Sequence, residues 1–564
     1  MSLHSLRQTL SHPSTSIQLC LLGLLAGLVA ACVIIVFRFI LASLQMLMLD
    51  GIGNYASLEA YQRLIMPMVA VLGIVIVAKL TGFKHYRMGI PFVIHRVKQY
   101  YGHIPLRTSI NQFFGGILAL ASGFVVGKEG PTVHLAAAAS HLIGRYVHAP
   151  HNSLRILSGC GIAAGISAAF NTPFAAVIFV MEVVLREYKV HIFVPIMLAA
   201  ASGSVLTRAV FGDVNELTFL QFEPVAASQL PFLFLIGIVI GLCAAGFNKQ
   251  LMWTMQLFRP VNMVGRLAIA ALITGLAGYF MPEAMGAEYI NVNKLLSAEI
   301  DISALAILFF IKLALAIVAI ALGIPGGIIG AVIVIGMLLG VLLLQTLNIT
   351  IGMDVHNSNA LVINSTYALL GFAGFLAAVL HAPLAALSAA MELAASPQAV
   401  LPSMIVIVSA YVTSKQLCKN RSIFIQQLEY QDLPYTTSAV RDLLQQTGVL
   451  AMLNTNFKQL SKAHDAVLYE HLQAYPQRAL IHQQDDELNS CQLIELNVSL
   501  SDNEQALSKH DCELLDEQHT LADVYDALYS KRQGAVFIVD ITGKEILGLI
   551  SWNTVHNYLI RQQH

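Results

Sequence analysis

Charge is scarce in this chain. Only 12% of its 564 residues are Asp, Glu, Lys or Arg, about half the usual share, while 56% are hydrophobic. A soluble chain of this length would divide into several cores with charged skins. The deficit therefore excludes an ordinary cytosolic enzyme, and the apolar surplus excludes intrinsic disorder. The formal net charge of −1 makes no whole-chain case for nucleic-acid binding. Cysteine is sparse as well. Cys20, Cys32, Cys160, Cys243, Cys418, Cys491 and Cys512 are scattered without a C-x-x-C pair, so neither a disulfide framework nor a zinc site is indicated. What is present is apolar sequence in long runs, which points to a polytopic membrane protein.

The few charges are unevenly placed. Of the 33 acidic residues, 17 lie in residues 436–564, which contain no long apolar run and read as a soluble tail. Residues 1–435 are the membrane part, with 23 basic against 16 acidic residues. The run from Ile17 to Phe37 is too long for the core of a signal peptide and reads as a first membrane helix that stays. Further runs fall near 64–82, 112–126, 132–147, 153–185, 191–211, 230–257, 263–281, 303–348, 365–396 and 398–418. Several are too short to cross roughly 30 Å of hydrocarbon, or are cut by Gly and Pro. The cuts are at Gly127–Pro131, Asn171–Pro173, Gly323–Gly327 and His381–Pro383. Broken helices at membrane depth survive only where protein or a water-filled cavity surrounds them.

The membrane part repeats itself. Gly161 to Glu182 aligns without a gap with Gly371 to Glu392 at an offset of 210, with 8 identities in 22, Pro173/Pro383 and Glu182/Glu392 among them. Gly127-Lys-Glu-Gly-Pro131 pairs more weakly with Gly327-Ile-Ile-Gly-Ala331 at an offset of 200. Interrupted helices at matching places in two halves mark a substrate site near the bilayer midplane.

Gly127-Lys128-Glu129-Gly130-Pro131 places two ionisable residues between apolar segments. Each costs about 2.5–3.5 kcal/mol on insertion scales, so function is the default reading. Pro131 suits the first position of a helix. The N-terminus of a buried helix attracts anions through free N–H groups and a partial positive charge. Glu129 would occupy such a site as a tethered competitor, leaving when protonated or displaced. A structural Lys–Glu pair is the plainer alternative. A P-loop is excluded by the spacing and by the absence of Ser or Thr after Lys128. Met88-Gly89-Ile90-Pro91 and Gly327-Ile328-Ile329-Gly330 read as two more helix starts of this kind.

With these motifs the sequence resembles the CLC family of chloride channels and proton/chloride exchangers over nearly its whole length. GKEGP at 127–131 matches the family pattern G-[KR]-E-G-P, with FNTP at 170–173, HAPLAALSAAMEL at 381–393 and PGGIIGA at 325–331 in support. The resemblance implies an all-α polytopic membrane fold, about eighteen helices in two inverted repeats with broken and re-entrant helices. It also implies a homodimer, no enzyme activity, and a small cytosolic α/β tail. The repeats would span about 15–220 and 230–425.

The resemblance implies that Glu129 is the gating glutamate. It implies anion contacts at Lys128, Gly130, Met88, Gly89, Ile328, Ile329 and Phe424. Met88 falls at the family's anion-binding serine and Phe424 at its pore tyrosine, so two hydroxyl donors are missing. Val183 falls at the internal proton-relay glutamate, next to Glu182, and an apolar side chain passes on no proton. The resulting expectation is an anion channel for chloride or a similar small anion. A weakly coupled proton/chloride or proton/fluoride antiporter is the alternative.

From about Cys512 the tail alternates strand and helix and resembles a CBS module at about 510–562, with a degenerate first copy in 437–500. Such modules often bind adenine nucleotides, but Thr554 stands where they carry Asp, so a structural, dimerising role is favoured over an adenine nucleotide at the tail, and no other cofactor is expected. Residues 453–473 read as one amphipathic stretch. Lys419 and Arg421 put the tail on the cytoplasmic side of an inner membrane. An intramembrane hydrolase is disfavoured because H-E-x-x-H and paired membrane aspartates are missing, and a sodium-coupled carrier because the helix starts are directed at anions.

Overall fold

The computed structural model describes residues 3–83, 88–212, 220, 222–225, 227–287, 301–351, 360–435, 439–483, 491–496 and 507–562. The chain forms two compact units. The larger comprises residues 20–143 and 156–435, the smaller residues 1–19, 144–155 and 436–564.

Leu3–Ser11 (α1) belongs to the smaller unit. The helices that follow it are Ile17–Met48 (α2), Ala60–Leu80 (α3), Gly89–Gln99 (α4), Leu106–Ala121 (α5), Glu129–Tyr146 (α6), His151–Phe170 (α7) and Pro173–Phe179 (α8). After these come Val190–Phe211 (α9), Leu230–Leu257 (α10), Met263–Phe280 (α11), Ile302–Leu322 (α12), Ile329–Ile351 (α13), Ala360–Leu380 (α14), Pro383–Ala394 (α15), Val400–Val412 (α16) and Ile423–Tyr430 (α17). Ten of the described helices are long and apolar enough to cross a membrane. On α2 the exposed side chains Leu21, Leu25, Val29 and Val36 form an apolar stripe, a surface suited to lipid and not to water.

Three of the four breaks have local causes in the backbone. Asn171 and His381 stand at equivalent positions with φ of 56° and 57°, ending α7 and α14. Pro173 and Pro383 then open α8 and α15, where a missing N–H is harmless. Gly323, at φ 91°, ends α12 before the Gly326–Gly327 turn. Close packing in the second half relies on small residues. A methyl group at Gly340 would stand 2.1 Å from the Tyr367 carbonyl oxygen, and one at Gly371 would stand 2.3 Å from that of Gly336. The Gly336–Gly340 pair thus lets α13 and α14 touch through their backbones.

The smaller unit holds two sheets. Phe457–Ser461 (β1) and Ala479–Gln483 (β2) run parallel, joined by helix Asp465–Ala474; Cys491–Leu496 (β3) and Leu507–Asp511 (β4) follow antiparallel. Leu514–Asp516 (β5), helix Leu521–Leu528, Ala535–Val539 (β6) and Ile546–Ser551 (β7) repeat the β-α-β-β order. Residues 453–473 are therefore not one amphipathic element. They hold β1 and then a helix, because β1 takes its hydrogen bonds from β2, 22 residues away at Phe457↔Ala479. Segments 1–19 and 144–155 join this unit through side chains. Arg7 Nη1 donates to buried Glu517 Oε1 at 2.6 Å, and Asn152 Nδ2 donates to the Leu10 and Gln446 carbonyls at 3.0 and 3.2 Å.

Candidate functional site

The two glycine-rich turns meet. Gly127 N–H donates to Gly327 O at 2.7 Å, and Gly327 N–H donates to Gly127 O at 2.6 Å, a two-residue antiparallel bridge. The helices that leave it, α6 and α13, begin with equivalent bonds, Thr132 N–H to Lys128 O and Val332 N–H to Ile328 O, each 3.0 Å. Each contact has its mirror in the other repeat, as two halves related by a two-fold rotation require. Pro131 is the third residue of α6, not the first, since the helix starts at Glu129. It still lies in the first turn, where the N–H has no intrahelical acceptor.

Glu129 is 3% exposed. Its carboxylate rests against three glycines. A methyl group at Gly127 would stand 1.9 Å from Oε2, at Gly327 2.8 Å from Oε2, and at Gly330 3.0 Å from Oε1. Only hydrogen fits at these positions, so the sequence leaves room for one negative group where α6 and α13 both begin. Two helix starts converging on one charge form the arrangement that stabilises an anion best without a counter-charge.

Glu129 lines a largely apolar cavity with Ile329, Arg38, Phe170, Thr172, Phe179 and Leu380. A second cavity is lined by Met88, Gly89, Ile90, Gly326, Gly327, Ile328, Phe424, Arg259 and Arg266. The structure thus gathers Met88, Gly89, Ile328 and Phe424 in one chamber, and Glu129 with Ile329 in the other. Met88 is the cap residue of α4 and accepts no side-chain bond. Lys128 and Gly130 line neither of these two cavities. Lys128 Nζ sits 4.7 Å from the Phe170 ring centroid, and Gly130 packs on the Gly326 backbone, where a methyl group would stand 2.4 Å from its oxygen.

Val183 is buried in a π-helical turn, Val180–Leu185, that continues α8. Beside it Glu182 turns away to α15, accepting Leu384 N–H at 3.2 Å and Ala385 N–H at 2.7 Å. Glu392 does the same to α8, accepting Phe174 N–H at 3.2 Å and Ala175 N–H at 2.8 Å. Sequence reasoning saw these glutamates only as matching letters. It also passed over Arg259 and Arg266, and a buried Lys98–Glu187 ion pair at 3.6 Å.

A polytopic helical protein with two related halves, broken helices and helix starts aimed at a single charge is a membrane transport protein for small ions. The chain belongs to the voltage-gated chloride channel (CLC) family, whose model matches residues 69–415. It is 26% identical over 464 residues to the H(+)/Cl(-) exchange transporter ClcA of Vibrio vulnificus, covering 76% of this chain and 95% of that protein. Among solved structures it resembles a slow cyanobacterial Cl-/H+ antiporter, with a TM-score of 0.65, 18% identity and coverage of 74% and 99% of the two chains. It also resembles a eukaryotic CLC transporter, with a TM-score of 0.61, 18% identity and coverage of 95% and 97%. The fold is therefore the CLC fold, and the chain is a transporter of anions, not an enzyme.

Proposed function

We propose that this protein exchanges chloride, or a similar small anion, for protons across an inner membrane, with Glu129 as the group that both gates the anion and carries the proton. The observation that carries this is the Glu129 carboxylate in its three-glycine cradle. A charged carboxylate there excludes an anion; protonation removes the charge that holds it between the helix starts, and the site opens to chloride. One group then serves both ions. The exchange activity named for the Vibrio relative favours this over the channel expected from Val183. Backbone amides of Ile328 and Ile329 and the chamber holding Met88 and Phe424 form the remaining anion contacts in this reading. A homodimer with a cytoplasmic CBS-like tail completes it.

The channel remains the second reading, on one observation: Val183 is apolar and buried, so a proton crossing that region needs another carrier. Purified protein in liposomes under crossed chloride and pH gradients decides between them. An exchanger's reversal potential follows a fixed mixture of both gradients; a channel's follows chloride alone.

A further inference from the structure

Val183 offers no titratable group to bring a proton to Glu129. A row of histidines leads toward Glu129 instead. His134 and His141 stand seven residues apart on α6, almost two turns, and so share one face of it. Beyond them the His103 ring, in the connection between α4 and α5, lies 5.3 Å from that of His141. Exposure falls along the row: His103 is exposed, His141 is 6% exposed and His134 is 0% exposed. The row thus runs from the surface toward the start of α6, where Glu129 stands.

His134 is arranged as a proton acceptor. The Thr108 hydroxyl donates to the Pro105 carbonyl at 2.7 Å, so its oxygen accepts from His134 Nε2–H at 3.2 Å. That sets the tautomer and leaves Nδ1 as a bare lone pair. Nδ1 is buried and has no hydrogen-bond partner among the described residues. The Phe92 ring, stacked at 5.7 Å, fixes the plane of the imidazole. Toward Glu129 the same condition recurs: Thr132 Oγ1 and both polar atoms of the Gln112 side chain are buried without a partner among the described residues. Gln112 lies midway between two contacts of α5 with α6. One is Thr108 with His134; the other is Gly116 with Pro131, where a methyl group would stand 2.8 Å from the proline ring. Buried polar groups are satisfied by protein or by ordered water, so these facing turns are suited to hold water.

The charges nearby direct a proton one way. Glu129 is the only acidic residue between Glu59 and Glu182. The packed helices bring His95, Arg96 and Lys98 on α4, Arg107 on α5, and His151, Arg155 and Cys160 on α7. None of these competes as a carboxylate.

We propose that His141 and His134 carry protons to Glu129 along α6, bridged by water held at Gln112 and Thr132, in place of a titratable group at Val183. The steps along the helix are about 10 Å from His141 to His134 and about 7.5 Å from His134 to Glu129, each too long for a direct hydrogen bond and each requiring water between. His134 Nδ1 takes a proton, giving an imidazolium, and releases it through water to the Glu129 carboxylate. The ring returns to the neutral tautomer that Thr108 holds. One proton moves, and no other bond forms or breaks. The inference rests on the exchange reading.

The test is flux of the purified full chain in liposomes, with chloride efflux and proton uptake recorded together, for the unsubstituted protein, His134→Gln, His141→Gln and the double variant. Gln keeps a donor for Thr108 but takes up no proton. His134→Gln is expected to lower the protons carried per chloride by about tenfold or more while chloride still moves. The double variant should be no worse than the more severe single one, since both groups lie on one route. A histidine that only packs would reduce both fluxes together and leave their ratio alone. Ratios equal to that of the unsubstituted protein in both single variants overturn the route. If His134→Gln does not fold, His141→Gln, nearer the surface, decides on the same ratio. Unsubstituted protein whose reversal potential follows chloride alone ends the exchange reading and the route together; a coupled unsubstituted protein with unchanged variants ends the route alone.

Discussion

Glu182 and Glu392 cap each other's helices. Glu182, from the turn that continues α8, accepts two N–H groups at the start of α15; Glu392, from the end of α15, accepts two at the start of α8. The four donors, Phe174 and Ala175 against Leu384 and Ala385, are separated by the same 210 residues as the glutamates. The two short helices are thus fastened head to tail, each broken segment stabilised by the other repeat.

Removing one carboxylate leaves two helix-start donors without an acceptor. Glu182→Ala or Glu392→Ala is expected to lower stability by about 1–3 kcal/mol, since bonds to charged groups contribute on that order and both side chains are half-buried. Gln keeps an acceptor and loses less. Because the two caps brace the same pair of helices, the double substitution should deviate from additivity by about 0.5 kcal/mol or more. Heat or denaturant unfolding of the purified chain measures this; negligible single losses would show that the caps contribute nothing.

Glu129→Gln keeps the size of the side chain and removes its titration. Anion flux should then lose its dependence on pH, and proton flux should vanish while chloride still moves. The measurement is chloride efflux from liposomes at pH 4.5 to 7.5 alongside proton uptake. A pH profile like that of the unsubstituted protein would remove Glu129 from the gating role.

Gly127→Ala tests the cradle rather than the carboxylate. A methyl group 1.9 Å from Glu129 Oε2 and 2.7 Å from the Gly330 nitrogen has no space. The carboxylate must leave its position or the Gly127–Gly327 bridge must open. Flux should change by about tenfold or more, because a shift of about 1 Å at a binding site is costly. Gly246→Ala, which meets open space, is the control. Equal flux in both variants would mean that Glu129 does not sit in this cradle during transport.

Much of this was legible beforehand, because it is written in local chemistry. Gly and Pro mark the four helix breaks, and apolar run lengths mark the spans. The ionisable pair within GKEGP marks the buried carboxylate of Glu129. Met88 and Phe424 also line one chamber. What was not legible is non-local. Nothing near Glu182 announces that its partners are more than 200 residues away. A π-turn at Val180–Leu185 has no composition of its own. Arg266 looks like an ordinary first-turn residue until the fold places it against the chamber. In the tail, β1 (FKQLS) lacks the alternation of a half-buried strand and depends on pairing with β2.

His519 in the tail gives a pH dependence of known sign. Burial opposes the charged ring, but the 2.9 Å hydrogen bond and the charge of Asp516 outweigh it and raise the pKa above 6.5. Burial likewise opposes ionised Asp516, while His519 holds its carboxyl below 3.8. A raised pKa stabilises the fold fully below about 6.5, and the contribution is lost as pH rises through the folded value. The Asp516 contribution is present above about 3.8 and lost as pH falls. His519→Ala should therefore cost more at pH 5.5 than at pH 8.5, by up to about 1 kcal/mol given the partial exposure of both groups. Thermal unfolding of the full chain at the two pH values measures it, and an equal penalty at both would show that the pair contributes no charge-dependent stability.

Val183→Glu asks whether one carboxylate is enough to couple protons to anions. Val183 is 5% exposed and lies in the π-turn Val180–Leu185. A glutamate there would be held neutral at neutral pH by the cost of burying its charge, and a neutral carboxyl is a proton donor. If the protein is weakly coupled because this position carries no titratable group, the substitution should raise the proton flux carried per chloride. The reversal potential under crossed gradients should move toward the proton equilibrium potential. An unmoved reversal potential, with protein folded and chloride flux intact, would mean that protons already reach Glu129 by a route that bypasses Val183.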